Sequence, residues 1–128
     1  MERRTIKFNG EEIYLKVGRY KENNRLAIQA YTKDESYCDV SVNLTKYDLD
    51  IDTLIAIDGD CKMSGFEDKL IEENIIDSIL FKVPYNYGIY DIAFLNLDRL
   101  FEYDPEGCSK HLYSSLIKVK EEEEMEAE

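Results

Sequence analysis

The sequence predicts an α+β domain, with a single, mostly antiparallel sheet of five or six strands and one amphipathic helix packed on one face. Three observations support this. Apolar and polar residues alternate through much of the first half, an Asn-Gly dipeptide separates the first two strand-like runs, and one later segment repeats its apolar residues at helical spacing. A chain of 128 residues, 44% of them hydrophobic, suits one core. We assign residues 1–108 to this domain and 109–128 to a C-terminal extension.

The first half is predicted to form two antiparallel strand pairs. Asn9-Gly10 adopts the positive φ angles of a type I′ turn at little cost, which favours a hairpin. Turn-forming residues at 33–36 separate the second pair. The last strand alternates apolar and polar residues, as expected of a sheet with one wet face. The predicted strands are residues 5–8, 12–17, 25–31 and 37–44.

The second half supplies the predicted helix, residues 66–76. Ser64 or Gly65 can open this helix. Phe66 and Leu70 recur at helical spacing, and Ser64 followed by Glu67 matches a capping box. Asp58-Gly59 ends the short apolar run before the helix, so that run is interpreted as a buried strand. The further predicted strands are residues 53–57, 78–84 and 89–95.

The residues from 96 onwards are predicted to form short elements and a tail. Residues 96–103 suit one or two helical turns, and residues 104–107 suit a turn that closes the folded body. Residues 109–120 fit a short helix or an extra strand equally well. Residues 121–128 hold six glutamates and repel one another, so they are expected to be a disordered tail or a frayed helical extension.

Charge limits the class of partner. The formal net charge is −12, and most of the excess acid lies after Tyr47. Such a field attracts basic surfaces and repels nucleic acids and anionic membranes. We therefore expect a basic protein partner, with no direct binding to nucleic acid or membrane.

The N-terminus and the cysteines predict a cytoplasmic protein. The first seven residues carry charges with no apolar stretch behind them, so no signal peptide or membrane span is expected. The chain has three cysteines, an odd number, and they are widely spaced at Cys38, Cys61 and Cys108. This favours reduced thiols over disulfides.

No cofactor, metal site or enzymatic activity is predicted. The aspartates from 48 to 60 fail as an EF-hand, because Thr53 and Gly59 stand where glycine and glutamate are required. Cys108 and His111 give only two zinc ligands. The isolated glycines form no phosphate-binding loop. Paired carboxylates that need only spatial proximity stay open, as would suit a small hydrolase.

The acidic side chains are themselves the strongest indication of function in this sequence. In an extended segment Asp48, Asp50 and Asp52 would form a row with a spacing of about 6–7 Å, similar to that of DNA phosphates. Exposed helix acids could extend the row, and tyrosines could anchor an interface. The candidate partner-binding residues are Asp48, Asp50, Asp52, Asp58, Asp60, Glu67, Asp68, Glu72, Glu73, Tyr47, Tyr85, Tyr87 and Tyr90.

Four stretches within roughly residues 5–103 carry a resemblance: Asn24–Tyr31, Tyr37–Leu44, the segment around Ile57-Asp58, and Gly88–Asp98. Together they resemble a family of small proteins of unknown function carried on conjugative elements and phages of gut bacteria. This similarity transfers no catalytic residue. The resemblance implies a role against host defence.

The sequence hypothesis is therefore a small acidic interaction module of a mobile element. In its sharper form the module mimics nucleic acid and inhibits a basic nuclease, such as a CRISPR effector or a restriction enzyme. A non-inhibitory adaptor and a small hydrolase are the alternatives.

Overall fold

The computed structural model describes residues 3–49 and 51–113, and its fold is α+β. The described strands form two antiparallel sheets of four strands each. In the first sheet the order is β1 (Ile6–Phe8), β2 (Glu11–Arg19), β3 (Leu26–Tyr31) and β4 (Ser36–Asp39). In the second the order is β5 (Ser41–Val42), β6 (Leu54–Ile57), β8 (Gly88–Leu95) and β7 (Ile76–Tyr85).

The first predicted hairpin is confirmed. Phe8 pairs with Glu11 across a two-residue turn, and both turn residues have positive φ angles, 51° at Asn9 and 79° at Gly10. These are the backbone angles that a type I′ turn requires and that Asn-Gly adopts at little cost.

The single predicted sheet is wrong, because the strand predicted over residues 37–44 leaves one sheet and enters the other. Val40 donates its N–H to Ile28 O in the first sheet (3.0 Å) and accepts from Asp58 N beside the second (2.9 Å). Ser41 then pairs with Ile57. Alternation of apolar and polar residues is the same on either side of this crossing, so the pattern does not reveal the change of partner.

Ser41 stabilises the crossing through its side chain. Its hydroxyl oxygen accepts the N–H of Ile28 at 2.9 Å and lies 2.8 Å from the hydroxyl of Tyr20. The serine itself is buried. It therefore takes the place of a backbone carbonyl at the point where the two sheets separate.

Ser41→Ala is expected to destabilise the protein by about 1–2 kcal/mol, because the buried N–H of Ile28 would lose its acceptor. The measurement is the free energy of unfolding in urea. Ser78→Ala, at an exposed serine of β7, is the matched control and should change stability far less. Equal effects of the two substitutions would contradict this role for Ser41.

The helices also differ from the prediction. Helix α1 (Gly59–Met63) was not predicted. Helix α2 (Phe66–Glu72) begins as predicted but ends early, because residues from Ile76 onwards join β7. Of the two predicted starts, Gly65 is the N-cap, with φ 87° and no side-chain cap, so the capping box predicted at Ser64 is wrong. The remaining helical elements are α3 (Leu97–Tyr103), α4 (Pro105–Cys108) and a π-helical turn (Ser109–Tyr113).

Two hydrophobic clusters hold the elements together. The larger joins both sheets and the helices, and includes Ile13, Ile57 and Phe66. The smaller lies on the opposite face of the second sheet, where Leu44 and Leu49 pack over Ile92. The predicted turn at 104–107 is largely helix α4, since Asp104 caps it by accepting from Gly107 N. The predicted glutamate tail and most of the segment 109–120 lie outside the described residues.

Strand β7 is an outer strand of the second sheet and is irregular. Its pairing with β8 shifts register twice, between Ile76 and Ser78 and between Ile79 and Phe81. The strand also carries Lys82 and Pro84 at exposed positions.

Candidate functional site

The predicted carboxylate row is not built as an extended segment. Asp48 is exposed, Asp50 lies outside the described residues, and residues 51–53 bend and turn. Asp52 is bound by Arg19, whose two terminal guanidinium nitrogens donate to its two carboxylate oxygens at 2.8 and 3.0 Å. This bidentate pair occupies both oxygens of Asp52 with a cation from the same chain.

Asp58 and Asp60 belong to the start of α1. Asp58 is the N-cap and accepts the N–H of Asp60 at 2.9 Å. Asp60 lies exposed in the first turn, where the helix dipole favours a negative charge. Asp58 thus has a structural role, whereas the carboxylate of Asp60 faces solvent.

The acids at the end of α2 are paired within the protein. Glu72 is 71% exposed in its side chain and lies 3.5 Å from Lys69. Glu73 is more buried and lies 3.3 Å from Lys69 and 3.7 Å from Arg99. It also accepts a hydrogen bond from the hydroxyl of Tyr103 at 3.2 Å. Glu73 therefore holds α3 against α2, and little of its charge is offered to a partner.

The exposure expected of Glu67 is wrong, although Asp68 beside it is exposed. Glu67 is only 5% exposed and points into the fold, where it is in hydrogen-bond contact with Asp91 of β8. Asp91 is 3% exposed. Oε2 of Glu67 is buried and has no hydrogen-bond partner among the described residues. Two carboxyl groups are therefore enclosed together.

Two lysines from different elements compensate this carboxyl pair. Lys62 of α1 places Nζ 3.0 Å from Asp91 Oδ2, and Lys82 of β7 donates to Asp91 Oδ1. Lys82 and Asp91 are direct cross-strand partners in the ladder between β7 and β8. These four residues form a cluster, Glu67, Asp91, Lys62 and Lys82. The cluster connects α1 and α2 to the paired strands β7 and β8.

The two carboxyl groups have opposite pKa shifts. Burial, together with the hydrogen bond and the charge of Asp91, raises the pKa of Glu67 to about 7. Burial also acts to raise the pKa of Asp91, but hydrogen bonds from Lys82 and Lys62 outweigh it and hold that pKa below its ordinary value. A protonated Glu67 beside an ionised Asp91 is the resulting state at mildly acidic pH.

The sequence reasoning missed this cluster, although it held a signal. Asp91 interrupts an otherwise apolar run that ends at Leu95. A charge inside a buried strand needs a partner, so the run itself indicated a buried ion pair. The identity of the partners depends on strand register and helix placement, which the pattern does not reveal.

Three of the four predicted tyrosines come together on the second sheet. The ring centroids of Tyr47 and Tyr85 are 6.2 Å apart, and those of Tyr85 and Tyr90 are 6.4 Å apart. Tyr47 donates its hydroxyl to Pro84 O. The hydroxyl of Tyr85 lies 3.1 Å from that of Thr45. These contacts fix the rings in place; we call Tyr47, Tyr85 and Tyr90 the tyrosine cluster.

The fourth tyrosine, Tyr87, lies at the tip of the hairpin formed by β7 and β8. Its side chain is fully exposed, and Ile89 next to it is 71% exposed. The turn is formed by Asn86, at φ 54°, and Tyr87. Gly88 makes room for the ring of Tyr90, because a Cβ there would lie 3.3 Å from it. The hairpin thus presents apolar and aromatic side chains to solvent.

A separate cavity of about 630 Å³ opens beside the first sheet. Its lining mixes charges of both signs, among them Lys16 and Asp39, and it also includes Cys38 and His111. Burial lowers the pKa of His111, so this histidine is neutral at physiological pH. The mixed lining shows no preference for one charge of ligand.

No helix within residues 3–49 and 51–113 is long and apolar enough to cross a membrane. Over the same residues, no three His, Cys, Asp or Glu side chains gather as a metal ion would require.

Comparisons of this chain with protein-family models, with curated proteins and with solved structures find no match.

Proposed function

We propose that this protein is a binding module that engages a basic protein partner through the tip of the β7–β8 hairpin and the tyrosine cluster beside it. The observation that carries the proposal is the distribution of exposed apolar side chains. Four of the large hydrophobic residues exposed among the described ones lie on this one hairpin: Leu80, Phe81, Tyr87 and Ile89. Several exposed large apolar side chains on one element are a feature of interaction sites.

The tyrosine cluster suits an interface because its rings are already held. Hydrogen bonds to Pro84 O and Thr45 restrict Tyr47 and Tyr85 before a partner arrives. A side chain ordered in advance loses less conformational entropy on binding. Tyrosine also combines a large apolar ring with a polar hydroxyl, and it is enriched at binding hot spots.

The net charge of the chain indicates a basic partner. The net charge of −12 produces a negative field that steers basic proteins towards the molecule and is weakened by salt. Asp48, next to Tyr47, adds an exposed carboxylate close to the tyrosine cluster. The partner is therefore a basic protein with an apolar surface that accepts Tyr87 and Ile89.

A module that binds a basic protein is favoured over a mimic of nucleic acid. A mimic needs a row of carboxylates open to a basic groove, and several predicted members are engaged within the chain: Asp52 by Arg19, Glu73 by Arg99, and Glu67 by burial. Burial of Glu67 and Asp91 likewise argues for a structural rather than a hydrolytic use of these two carboxyl groups.

The proposal is tested by capture of partners from a host lysate on the immobilised protein, at low and at high salt. The test variant is the double substitution Tyr87→Ala with Ile89→Ala, at exposed positions that should not affect folding. The matched control is Ile51→Ala, which removes another exposed apolar side chain elsewhere. We expect a basic protein that high salt releases, and whose affinity falls about 30-fold or more in the double variant alone.

Two results would overturn the proposal. One is a partner that binds the double variant and the wild-type protein equally, because the hairpin would then be irrelevant. The other is a set of captured proteins that are acidic or insensitive to salt.

A further inference from the structure

Two of the three cysteines lie side by side. Cys61 of α1 belongs to the larger hydrophobic cluster and Cys38 of β4 packs against that cluster, and each thiol shifts the pKa of the other. The backbone explains the proximity. Ser41 pairs with Ile57 and the carbonyl of Val40 accepts from Asp58, so the two segments run antiparallel and bring the end of β4 to the first turn of α1. All three cysteines are free thiols in the structure.

The two thiols differ in access. Cys38 is half-buried and borders the 630 Å³ cavity, so a small molecule can reach it. Cys61 is fully buried behind it. Cys108 is also fully buried and lies in a different element, α4. Close proximity combined with one accessible thiol is the arrangement found in redox-sensitive cysteine pairs.

We propose that Cys38 and Cys61 are a redox modification site, at which hydrogen peroxide converts the two thiols into a reversible disulfide between β4 and α1. The sulfur of Cys38 attacks one peroxide oxygen, the O–O bond breaks, and a sulfenic acid forms with release of water. The sulfur of Cys61 then attacks the sulfur of Cys38. The S–O bond breaks, and the departing hydroxide takes the proton of Cys61 as a second water. Two thiols are oxidised and one peroxide is reduced.

The electrostatic surroundings suit these roles. The hydrogen bond with Cys61 lowers the pKa of Cys38, against the opposing effects of burial and of Asp58, Asp39 and Asp60. The same hydrogen bond, together with burial, strongly raises the pKa of Cys61. Because Cys38 also borders the cavity whereas Cys61 is fully buried, Cys38 is the thiol that meets the peroxide and Cys61 is the one that resolves the sulfenic acid.

The Cys38–Cys61 disulfide would close a covalent loop that includes the crossing between the two sheets. Such a loop restricts the unfolded chain more than the folded one, so the oxidised protein should be more stable. We expect a melting temperature roughly 10 °C higher after oxidation.

The experiment treats the reduced full-length chain with hydrogen peroxide. We expect the mass to fall by that of two hydrogen atoms, one disulfide-linked peptide containing Cys38 and Cys61, and the higher melting temperature. Dithiothreitol should reverse all three. Cys108→Ala should behave as wild type, whereas Cys38→Ser should give neither the linked peptide nor the change in melting temperature.

The wild-type peptide map decides the outcome even if a variant folds poorly. A map in which Cys38 is unchanged, ends as a sulfinic acid, or is bonded to a second chain or to Cys108 would overturn the proposal. So would a linked peptide that dithiothreitol does not reduce.

Discussion

Replacing Glu67 by glutamine is expected to stabilise the protein by about 2 kcal/mol at pH 8 and by much less at pH 5. At pH 5 the buried carboxyl of Glu67 holds its proton, and an amide resembles that neutral group. At pH 8 the wild-type protein encloses a second negative charge beside Asp91. Glutamine removes that charge and keeps nearly the same volume.

The direction in which stability changes with pH follows from the number of protons that the folded and unfolded states bind. The pKa of Glu67 rises from 4.5 to about 7 in the folded protein, so between these values the folded state binds more protons than the unfolded state. Stability therefore falls as the pH rises through this range. Asp91 acts in the opposite sense, because its pKa is lowered on folding and its contribution is lost only as the pH falls below the ordinary carboxyl range.

Other titratable groups face Glu67 and are the same in the variant and in the wild-type protein. They are Asp91 of β8, Lys62 and the thiol of Cys61 from α1, and Asp68 on its own helix, with Lys82 of β7 reaching it through Asp91. None of them is altered by Glu67→Gln.

The measurement is urea unfolding at pH 5 and pH 8. Glu72→Gln is the matched control, since it removes the same charge from an exposed position of the same helix. If both variants gain equally at pH 8, the effect comes from the overall charge and the buried pair is not responsible.

Gly107→Ala is expected to destabilise the protein by about 3 kcal/mol. A Cβ at this position would lie 2.1 Å from Asp104 Oδ2 and 2.8 Å from the backbone oxygen of Val17. The carboxylate cannot move aside without loss, because it accepts the N–H groups of Val17 at 2.8 Å and of Gly107 at 3.1 Å. Asp104 is also buried.

The matched control is Gly18→Ala, where a Cβ would meet nothing within 4 Å. Both variants are compared by the urea concentration at the midpoint of unfolding. Equal midpoints for Gly107→Ala and the wild-type protein would show that α4 shifts freely against β2, contrary to the close packing described here.

The strands were predictable because their signals are local. Asn9-Gly10 determines its own turn, and the apolar runs that became β6 and β8 are buried wherever they pair. The division into two sheets was not predictable, because it depends on which neighbours Val40 and Ser41 meet. Helix α1 was missed because Asp58-Gly59, interpreted as a turn, serves equally well as a helix start.

In the aromatic half of the candidate site, the sequence predicted Tyr47, Tyr85, Tyr87 and Tyr90 as interface anchors. It did not predict that three of them pack together, because Tyr47 comes from a distant part of the chain. The acidic half failed because sequence spacing says nothing about cations supplied by other elements. Arg19 and Arg99 lie far along the chain from Asp52 and Glu73, the acids they bind.

The irregular outer strand β7 has a consequence for the behaviour of the protein at high concentration. Its two register shifts, with Lys82 and Pro84, interrupt the row of hydrogen-bonding groups that a flat strand would offer to another molecule. Copies of the chain are thereby hindered from adding strand to strand into fibrils, so Leu80 and Phe81 can stay uncovered without driving polymerisation.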